Sequence, residues 1–425
     1  MMKVVTRIPP SPTGRLHIGT ARTALFNYLY ARGKGGRVVF RSEDTDRARS
    51  MREFEDEIIE GLRWLGLSWD EFLRQSERTN RYQEVLEKAV TSGKAYVSKE
   101  PKKDNPTEEV DVVRLKNPGT EVVFDDLVHG PINTHTGELG DFVIARSMTD
   151  PLYHFAVVVD DMDSGVTHVI RGEDHISNTA RQILIQEAVG APRPIYAHLP
   201  LILDKKRTKL SKRSGATSLM DYRAEGCMPE AMVNYLALLG WNPGDEREDF
   251  SLAELVEDFS LERVQKSGAS WDRDKLLSVN QRWMRKLTPD EYLARGAFDE
   301  SVRKAVPLLK ERAHTFGEAR ELLKGELACL FATPSLNRAL LTSKGGNTAR
   351  YLNDLMELIP DSTEPERVRA ALMSYADKEG RGATLWPLRY ALSGQERSPD
   401  PFTLIALLGK QTATERIRAA IAILS

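Results

Sequence analysis

Residues 7–20 read RIPPSPTGRLHIGT, and they join a strand-like run to a helix-like run near the start of the chain. Residues 3–8 have the pattern of a short buried strand, and residues 20–31 place Leu25, Tyr28 and Leu29 at helical spacing. Between the two runs, three prolines and Gly14 force a loop, because proline fixes φ and has no N–H to donate. The stretch predicts an anion-binding turn, since a helix that begins there presents free backbone N–H groups and a positive dipole end.

The same alternation of strand and helix continues along the chain. A strand is predicted at 37–41 and an amphipathic helix at 53–67. After residue 154 the further predicted elements are strands at 156–160, 166–171 and 195–203, and a helix at 177–189 with Ser177 as its N-cap. Strands that alternate with helices are typical of a parallel, doubly wound sheet, so a Rossmann-like α/β domain is predicted.

Two stretches depart from this rhythm. Residues 87–154 are predicted to be an α/β insertion, because a polar stretch with two prolines is followed by short strand-like pieces. From about residue 215 the pattern is almost entirely helical. The predicted domains are 1–86 and 155–204 for the two halves of the Rossmann-like domain, 87–154 for the insertion, 205–290 for a first helical domain and 291–425 for an all-helical domain.

Composition narrows the class of protein. The 425 residues include 60 Lys+Arg and 62 Asp+Glu, a net charge of −2, which excludes a uniformly basic nucleic-acid coat but not a local basic surface. The two cysteines, Cys227 and Cys329, exclude a disulfide framework and an all-cysteine zinc site. No apolar stretch has the length of a membrane helix, and no signal core follows the first residues, so a cytoplasmic protein is expected.

The turn carries three residues suited to a phosphorylated ligand. His17 can donate to a phosphate oxygen, Gly19 permits close approach to the backbone, and Thr20 adds a hydroxyl. For His-x-Gly alone, a surface histidine at a strand exit would be the better interpretation. The complete string resembles the HIGH signature of class I aminoacyl-tRNA synthetases, and PSPTG followed by HIGTARTALFNYL resembles the bacterial glutamyl-tRNA synthetases in particular.

A second motif is the basic run KKRTKLSKR at 205–213, with six cationic side chains and no acid. Such a loop can hold a polyphosphate and oppose the charge that develops on a leaving pyrophosphate. The alternatives are a solvated basic loop or a nonspecific RNA contact. The run resembles the KMSKS loop of class I synthetases, which implies roles for Lys209 and Lys212, with Lys212 the more important.

The amino-acid pocket is predicted at strand ends. A dicarboxylic substrate needs a fixed cation, and Arg7 and Arg171 end predicted strands, where ligand sites of open α/β sheets lie. The alternative for Arg171 and Asp174 is an internal ion pair. The resemblance implies catalytic roles for His17, Gly19, Thr20, Lys209 and Lys212. It implies ATP contacts from Pro10, Ser11, His17, Gly19, Thr20, Asp174, His175, Leu210 and Lys212, and glutamate contacts from Arg7, Ser11, Glu43, Tyr153 and Arg171.

The helical half suits a nucleic-acid partner. Residues 301–350 contain nine Lys/Arg and four Asp/Glu, a local excess of +5 that fits RNA backbone contact. Trp386, Arg389 and Tyr390 could stack on unpaired bases, although isolated aromatics are more often core. Residues 382–394 resemble the C-terminal helical region of the same synthetases. The resemblance implies that 291–425 binds the anticodon, 205–290 the tRNA stem, and 87–154 the acceptor end.

Taken together, the resemblance implies a monomeric ligase that joins glutamate to tRNA(Glu) with ATP and Mg²⁺, and with no metal ligand from the protein. Many relatives carry a Cys/His zinc knob in the insertion, but residues 94–111 contain neither residue type, so no zinc is expected. The alternatives are a glutaminyl-tRNA synthetase, a truncated tRNA-modifying glutamyl transferase, a small-molecule nucleotidyltransferase and an inactive synthetase-like tRNA-binding protein. The intact motifs and the long helical half disfavour them.

Overall fold

The structure, a computed structural model, describes residues 3–102, 105–210 and 218–425. The chain packs as two compact units, Met1–Val279 and Asn280–Ser425. Among the described helices, none combines the length and the apolar character that crossing a bilayer requires.

The first unit mixes strands and helices. Its strands are β1 (Val5–Ile8), β2 (Arg37–Ser42), β3 (Glu71–Arg74), β4 (Ala95–Lys102), β5 (Asn105–Leu115), β6 (Glu121–Asp126), β7 (Gly130–His135), β8 (Phe142–Ser147), β9 (Asp150–Pro151), β10 (His168–Gly172), β11 (Ile195–Leu199), β12 (Ile202–Leu203) and β13 (Ala269–Ser270). Its helices are α1 (Ile18–Gly33), α2 (Arg52–Trp64), α3 (Thr79–Thr91), α4 (Tyr153–Asp163), α5 (Ile176–Val189), α6 (Leu219–Ala224), α7 (Pro229–Leu238), α8 (Leu252–Asp258) and the start of α9 (Arg273–Lys286).

Parallel strands form the centre of the first unit. Strands β1, β2 and β3 pair in parallel in that order, and β10 pairs in parallel with β11. The Thr167 N–H donates to the Val5 carbonyl over 2.9 Å, which brings the start of β10 beside β1. Strands adjacent in space are thus separated along the chain by helical crossovers, which confirms the predicted doubly wound α/β fold.

The range 87–154 contains two different sheet structures. Strands β4, β5, β8 and β9 form an antiparallel sheet in that order. Strands β6 and β7 form an antiparallel hairpin, with Glu121 opposite His135. The hairpin adds to the sheet of β10 and β11, because Asp126 pairs with Tyr196 on β11. A strand from this range thereby delivers a buried carboxylate, Asp126, to the interior of the first unit.

The strand predicted at 156–160 is wrong, since these residues lie in the middle of α4. Every residue from Phe155 to Asp161 is buried, so no polar face reveals the helical period. An apolar run that is buried on all sides looks the same in a strand and in a helix. As a helix, the segment places Tyr153, Val157 and Asp161, at intervals of four, along one face.

Two other boundaries differ from the prediction. Ser177 is not an N-cap, because α5 begins at Ile176 directly after a 3₁₀ turn at Glu173–His175. The strand predicted at 195–203 is two strands, since β11 ends at Leu199 and β12 begins at Ile202. Pro200 lies between them, and it has no N–H to continue the ladder.

The second unit is helical among its described residues, as predicted. Its helices are α10 (Pro289–Gly296), α11 (Val306–Arg312), α12 (Phe316–Lys324), α13 (Arg338–Leu341), α14 (Thr348–Leu358), α15 (Pro365–Glu379), α16 (Arg381–Ser393) and α17 (Pro401–Leu424). Helix α12 ends at Lys324, and a 3₁₀ turn follows at Ala328–Leu330. Gly409, at a φ of 78°, kinks α17.

A buried arginine joins three segments of this unit. Arg416 on α17 donates to the carbonyls of Cys329 at 2.7 Å, Leu392 at 2.6 Å and Ala332 at 2.9 Å. The side chain is 9% exposed, and burial lowers the pKa of its guanidinium. One cation thus satisfies the carbonyls at the ends of two neighbouring segments, a structural role.

We expect Arg416→Leu to destabilise the second unit by about 2–4 kcal/mol, because three carbonyls, two of them in buried contacts, lose their donor. The measurement is urea denaturation followed by circular dichroism. The control is Arg418→Leu on the same helix, where the side chain is exposed. Equal stability of the two variants would contradict this role for Arg416.

Candidate active site

The predicted anion-binding turn is present between β1 and α1. His17 is the N-cap of α1, and its Nδ1 atom accepts the Gly19 N–H over 3.1 Å. A neutral ring with Nδ1 as acceptor carries its proton on Nε2. The preceding backbone is held by an antiparallel bridge between His17 and Ser218 and by the Leu219 N–H, which donates to the Leu16 carbonyl at 2.9 Å. Helix capping thus fixes the orientation of the imidazole.

A cavity of about 400 Å³ lies at this turn. The predicted site residues that the structure describes all line it: Arg7, Pro10, Ser11, His17, Gly19, Thr20, Glu43, Tyr153, Arg171, Asp174, His175, Lys209 and Leu210. Lys212 lies outside the described residues. The structure thus brings together residues that are up to about 200 positions apart, at the ends of β1, β2 and β10, where an open α/β sheet binds its ligands.

Arg171 is a buried cation among neutral groups. It is 5% exposed, and its guanidinium donates to His198 Nε2 at 3.2 Å, Gln182 Oε1 at 2.7 Å and Thr179 Oγ1 at 2.6 Å. Burial lowers the pKa of Arg171, because the charged form loses its hydration. Among the described residues no carboxylate forms an ion pair with it, so an internal pair between Arg171 and Asp174 is the wrong interpretation. An anionic ligand would neutralise this charge.

Two further buried arginines, Arg7, which lines the cavity, and Arg41, which does not, belong to a buried ion network. Asp161 Oδ1 lies 2.5 Å from Arg41 Nη1 and 3.5 Å from Arg7 Nε. Arg41 Nη2 lies 2.9 Å from Glu43 Oε1, and all four side chains are at most 7% exposed. Burial raises the pKa of Glu43, and Arg41 opposes that effect. Glu43 is thereby held at the cavity wall by a paired cation.

Asp161 and Arg41 pair with the cavity-lining residues Arg7 and Glu43, and the sequence interpretation missed both. The signal for Asp161 was available, because it lies eight positions after Tyr153, two steps of four residues along a helix. Predicting this segment as a strand concealed that relation. For Arg41, the signal was its place near the end of β2, two residues before Glu43, which follows the strand directly.

The basic loop begins with an ordered turn. Asp204 Oδ1 accepts the N–H groups of Lys206 and Thr208, each at 2.9 Å. The chain then returns, so that Lys209 forms a bridge with Leu203 and its Nζ lies 2.6 Å from Asp174 Oδ2. Burial acts to raise the pKa of Asp174, but the hydrogen bond from Lys209 and the electrostatic interactions with His175 and Lys209 together lower it overall. The turn thus fixes one lysine of the motif at the cavity.

Two further groups define the charge of the cavity. Burial and the nearby Arg171 lower the pKa of His175 to about 4, so its ring is neutral at neutral pH. Arg22, which was not predicted, lines the cavity and donates to the carbonyls of Leu239 and Pro200. Burial lowers its pKa to about 10, which still leaves it charged. Its signal was a position in the first turn of α1, beside Thr20.

The described residues contain no group of three or more His, Cys, Asp or Glu side chains that could hold a metal ion. The two carboxylates at the cavity are each held by a cation, Glu43 by Arg41 and Asp174 by Lys209. The absence of bound zinc stays a prediction.

The cations of residues 301–350 are more neutralised than the count in the sequence indicates. Arg303 pairs with Asp290 and Glu300, and Arg350 pairs with Glu379. These acids lie outside the counted window, so the local excess is smaller in the folded unit than +5.

The aromatic candidates of this unit differ from each other. Tyr390 is 3% exposed, and its hydroxyl accepts the Asn337 N–H, so it belongs to the core. Trp386 is half-buried, and Lys344 and Arg389 lie over its ring at 5.7 and 4.7 Å from the centroid. Trp386 with its two cations is therefore the better of the two candidates for base stacking.

Comparison with known proteins agrees with this geometry. Residues 3–109 and 97–278 match the catalytic domain of the class I tRNA synthetases (E and Q), and residues 252–421 match an anticodon-binding domain. A glutamate–tRNA ligase of Carboxydothermus hydrogenoformans is 40% identical over 97% of this chain and 99% of its own. That of Aquifex aeolicus is also 40% identical, over 98% of both chains.

Solved structures give the same result. The crystal structure of a glutamate tRNA ligase from Elizabethkingia meningosepticum, in complex with its amino acid, matches with a TM-score of 0.85 at 28% identity over 100% of both chains. Glutamate-tRNA synthetase from Elizabethkingia anophelis matches with a TM-score of 0.83 at 28% identity, over 99% of this chain. From both kinds of match, the chain belongs to the family of class I tRNA synthetases for glutamate and glutamine, with the catalytic and the anticodon-binding domain of that family.

Proposed function

We propose that this protein is a glutamate–tRNA ligase that forms glutamyl-adenylate from glutamate and ATP and transfers the glutamyl group to the terminal adenosine of tRNA(Glu). The observation that carries the proposal is Arg171, a buried guanidinium without a carboxylate partner among the described residues, at the cavity that His17 and Lys209 also line. Its charge suits the side-chain carboxylate of glutamate, which a neutral amide would not replace. The curated relatives carry the same name.

In the first step, ATP lies at the N-terminus of α1, and glutamate lies between Arg171 and Glu43. Glu43 faces the ammonium group, and Arg171 holds the side-chain carboxylate. The α-carboxylate then attacks the α-phosphorus, and pyrophosphate leaves with the bridging electron pair. Lys209 and Lys212 oppose the charge that develops on the leaving group. Their contribution is position and charge, since no protein nucleophile is needed.

ATP enters as its magnesium complex. The cavity carboxylates support this assignment, because both are engaged by protein cations and form no ligand cluster among the described residues. Mg²⁺ prefers to keep waters and to bind substrate phosphates rather than a cage of protein ligands.

In the second step, a ribose hydroxyl of the terminal adenosine attacks the glutamyl carbonyl, and AMP leaves. The tRNA contacts are proposed for the insertion, at 87–154, and for the helical domains, at 205–290 and 291–425. Trp386 is the residue we favour for base stacking in the last of these. We further propose a monomer in the cytoplasm, in keeping with two buried cysteines that are not joined in a disulfide.

The second candidate is a glutaminyl-tRNA synthetase, because the family model covers both amino acids. The deciding experiment is to charge purified tRNA(Glu) and tRNA(Gln) side by side with radiolabelled glutamate and glutamine. We expect glutamyl-tRNA(Glu) to form and glutamine to be rejected. Charging by glutamine alone would favour the second candidate, and no charging would favour the inactive, tRNA-binding alternative.

Arg171→Ala should lower kcat/KM for glutamate by roughly 100-fold, because a buried charge pair between substrate and protein is lost. The KM for ATP should change little. The measurement is ATP–pyrophosphate exchange with tRNA present, at varied glutamate and then varied ATP. The matched control is Arg193→Ala, which removes a surface pair with Glu187. An unchanged KM for glutamate would show that Arg171 does not bind the substrate carboxylate.

Lys212→Ala should lower the rate of glutamate-dependent exchange by roughly 100- to 1,000-fold, because the charge on the leaving pyrophosphate loses an opposing cation. Lys209→Ala should have a smaller effect in the same direction. The control is Lys205→Ala in the same loop, whose side chain is 79% exposed and 3.9 Å from Asp274. Exchange at the control rate in the Lys212 variant would exclude Lys212 from the chemistry.

Metal analysis tests the prediction that the insertion at 87–154 binds no zinc. The purified protein should contain no stoichiometric zinc, because residues 94–111 offer no Cys or His ligand. The measurement is inductively coupled plasma mass spectrometry after dialysis without chelator. One zinc ion per chain would show that the prediction is wrong.

A further inference from the structure

Behind Arg171 lies a continuous chain of buried polar groups. Asp126 Oδ2 lies 2.6 Å from His198 Nδ1, and His198 Nε2 accepts the Arg171 Nε–H at 3.2 Å. Asp126, His198 and Arg171 are 3%, 0% and 5% exposed. Of these, only Arg171 lines the cavity. His198 Nε2 also lies 3.0 Å from Thr179 Oγ1, and neither Asp126 nor His198 reaches the cavity wall.

The carboxylate of Asp126 is fixed from several sides. It accepts the N–H groups of Val128 at 3.0 Å and His129 at 2.9 Å, besides the backbone N–H of His198 at 3.0 Å. Burial acts to raise the pKa of Asp126, but His198 and these N–H groups lower it overall. Burial has the opposite effect on the imidazole, and it lowers the pKa of His198. Asp126 is therefore ionised and His198 neutral at neutral pH.

This pairing decides the tautomer of His198. An ionised carboxylate only accepts, so the ring must donate Nδ1–H to Asp126 and keep a lone pair on Nε2. The Nε2 atom can then accept from the guanidinium, which has only donors. With the other tautomer, two N–H groups would face each other across 3.2 Å in a buried place. Asp126 thus makes His198 an acceptor for Arg171.

Some N–H groups of the Arg171 guanidinium remain available to a ligand. The guanidinium has five N–H groups. His198, Gln182 and Thr179 engage one each on Nε, Nη1 and Nη2, and the His175 carbonyl takes a long contact of 3.5 Å from Nη2. One N–H on Nη1 and the weakly engaged one on Nη2 remain among the described contacts. Two N–H groups on the two terminal nitrogens suit one carboxylate.

We propose that Asp126 and His198 are positioning residues that hold Arg171 with its two terminal nitrogens available to the side-chain carboxylate of the substrate. This inference rests on the proposed function, in which that carboxylate is glutamate's. Asp126 comes from β6, so a hairpin of the range 87–154 helps to shape the amino-acid pocket. Asp126 and His198 thus fix the orientation of the Arg171 guanidinium without placing a carboxylate in direct contact with it.

Two substitutions test the pair. Asp126→Asn presents an amide that can donate to Nδ1 and so favours the wrong tautomer, and His198→Gln removes the bond to Asp126. Each should raise the KM for glutamate roughly 10- to 100-fold, because a buried donor of Arg171 loses its acceptor. The KM for ATP should stay within about twofold. The control is His168→Gln at the other end of the same strand as Arg171, a buried histidine bonded to Thr167 and Tyr30.

The outcomes separate the inference from the proposed function. If the wild-type protein charges tRNA(Glu) and both variants keep the wild-type KM for glutamate, the positioning role is overturned and the function stands. If both variants lose kcat while both KM values stay unchanged, the pair is structural and the inference is also overturned. If the wild-type protein charges nothing, the proposed function fails first.

A spectroscopic measurement needs no variant to be active. In ¹⁵N-labelled wild-type protein, His198 should show the neutral Nδ1–H tautomer at pH 7, and its assignment comes from comparison with the His198→Gln spectrum. An Nε2–H tautomer or an imidazolium would overturn the inference, even if the variants fold poorly.

Discussion

The cost of burying a guanidinium constrains the whole active site. Four arginines, Arg7, Arg22, Arg41 and Arg171, lie within the first unit with at most 5% exposure. A buried cation without compensation is destabilising, so each needs carboxylates or several oriented acceptors. Arg7 and Arg41 share Asp161, whereas Arg171 has neutral acceptors. On one side of the pocket the arginine charges are neutralised by ion pairs. On the other side Arg171 keeps a positive charge that an anionic ligand can neutralise.

The positions of β1, β10, α4 and α1 bring these groups together around the cavity. The carboxyl ends of β1 and β10 place Arg7 and Arg171 at the cavity, and the face of α4 brings Tyr153 to it and pairs Asp161 with Arg7. The N-terminus of α1, capped by His17, supplies the donors at the third side. The fold therefore assembles cationic and dipolar groups of different strength around one ligand site.

Much of this arrangement could be predicted from the sequence. Prolines and glycines indicate the turn at 7–20, and lysines indicate the basic run at 205–213. Both effects are local, on the backbone in the first case and on the charge in the second. The failures are non-local. Residues 156–160 form a helix that is buried all round, so its period cannot be read, and Asp161 was missed with it. The excess charge of 301–350 was overstated, because Asp290 and Glu379 reach it only through folding.

The shared carboxylate of Asp161 has an evolutionary consequence. One anion there serves both Arg7 and Arg41, so replacing Asp161 alone would leave Arg7 without a carboxylate partner among the described residues, whereas Arg41 would keep Glu43. A change of amino-acid preference from that side is therefore expected to be destabilising. The route that stays open runs through Arg171, whose neutral neighbours lose no ionic partner when it is exchanged. Specificity can diverge there while the ion-paired wall is inherited unchanged.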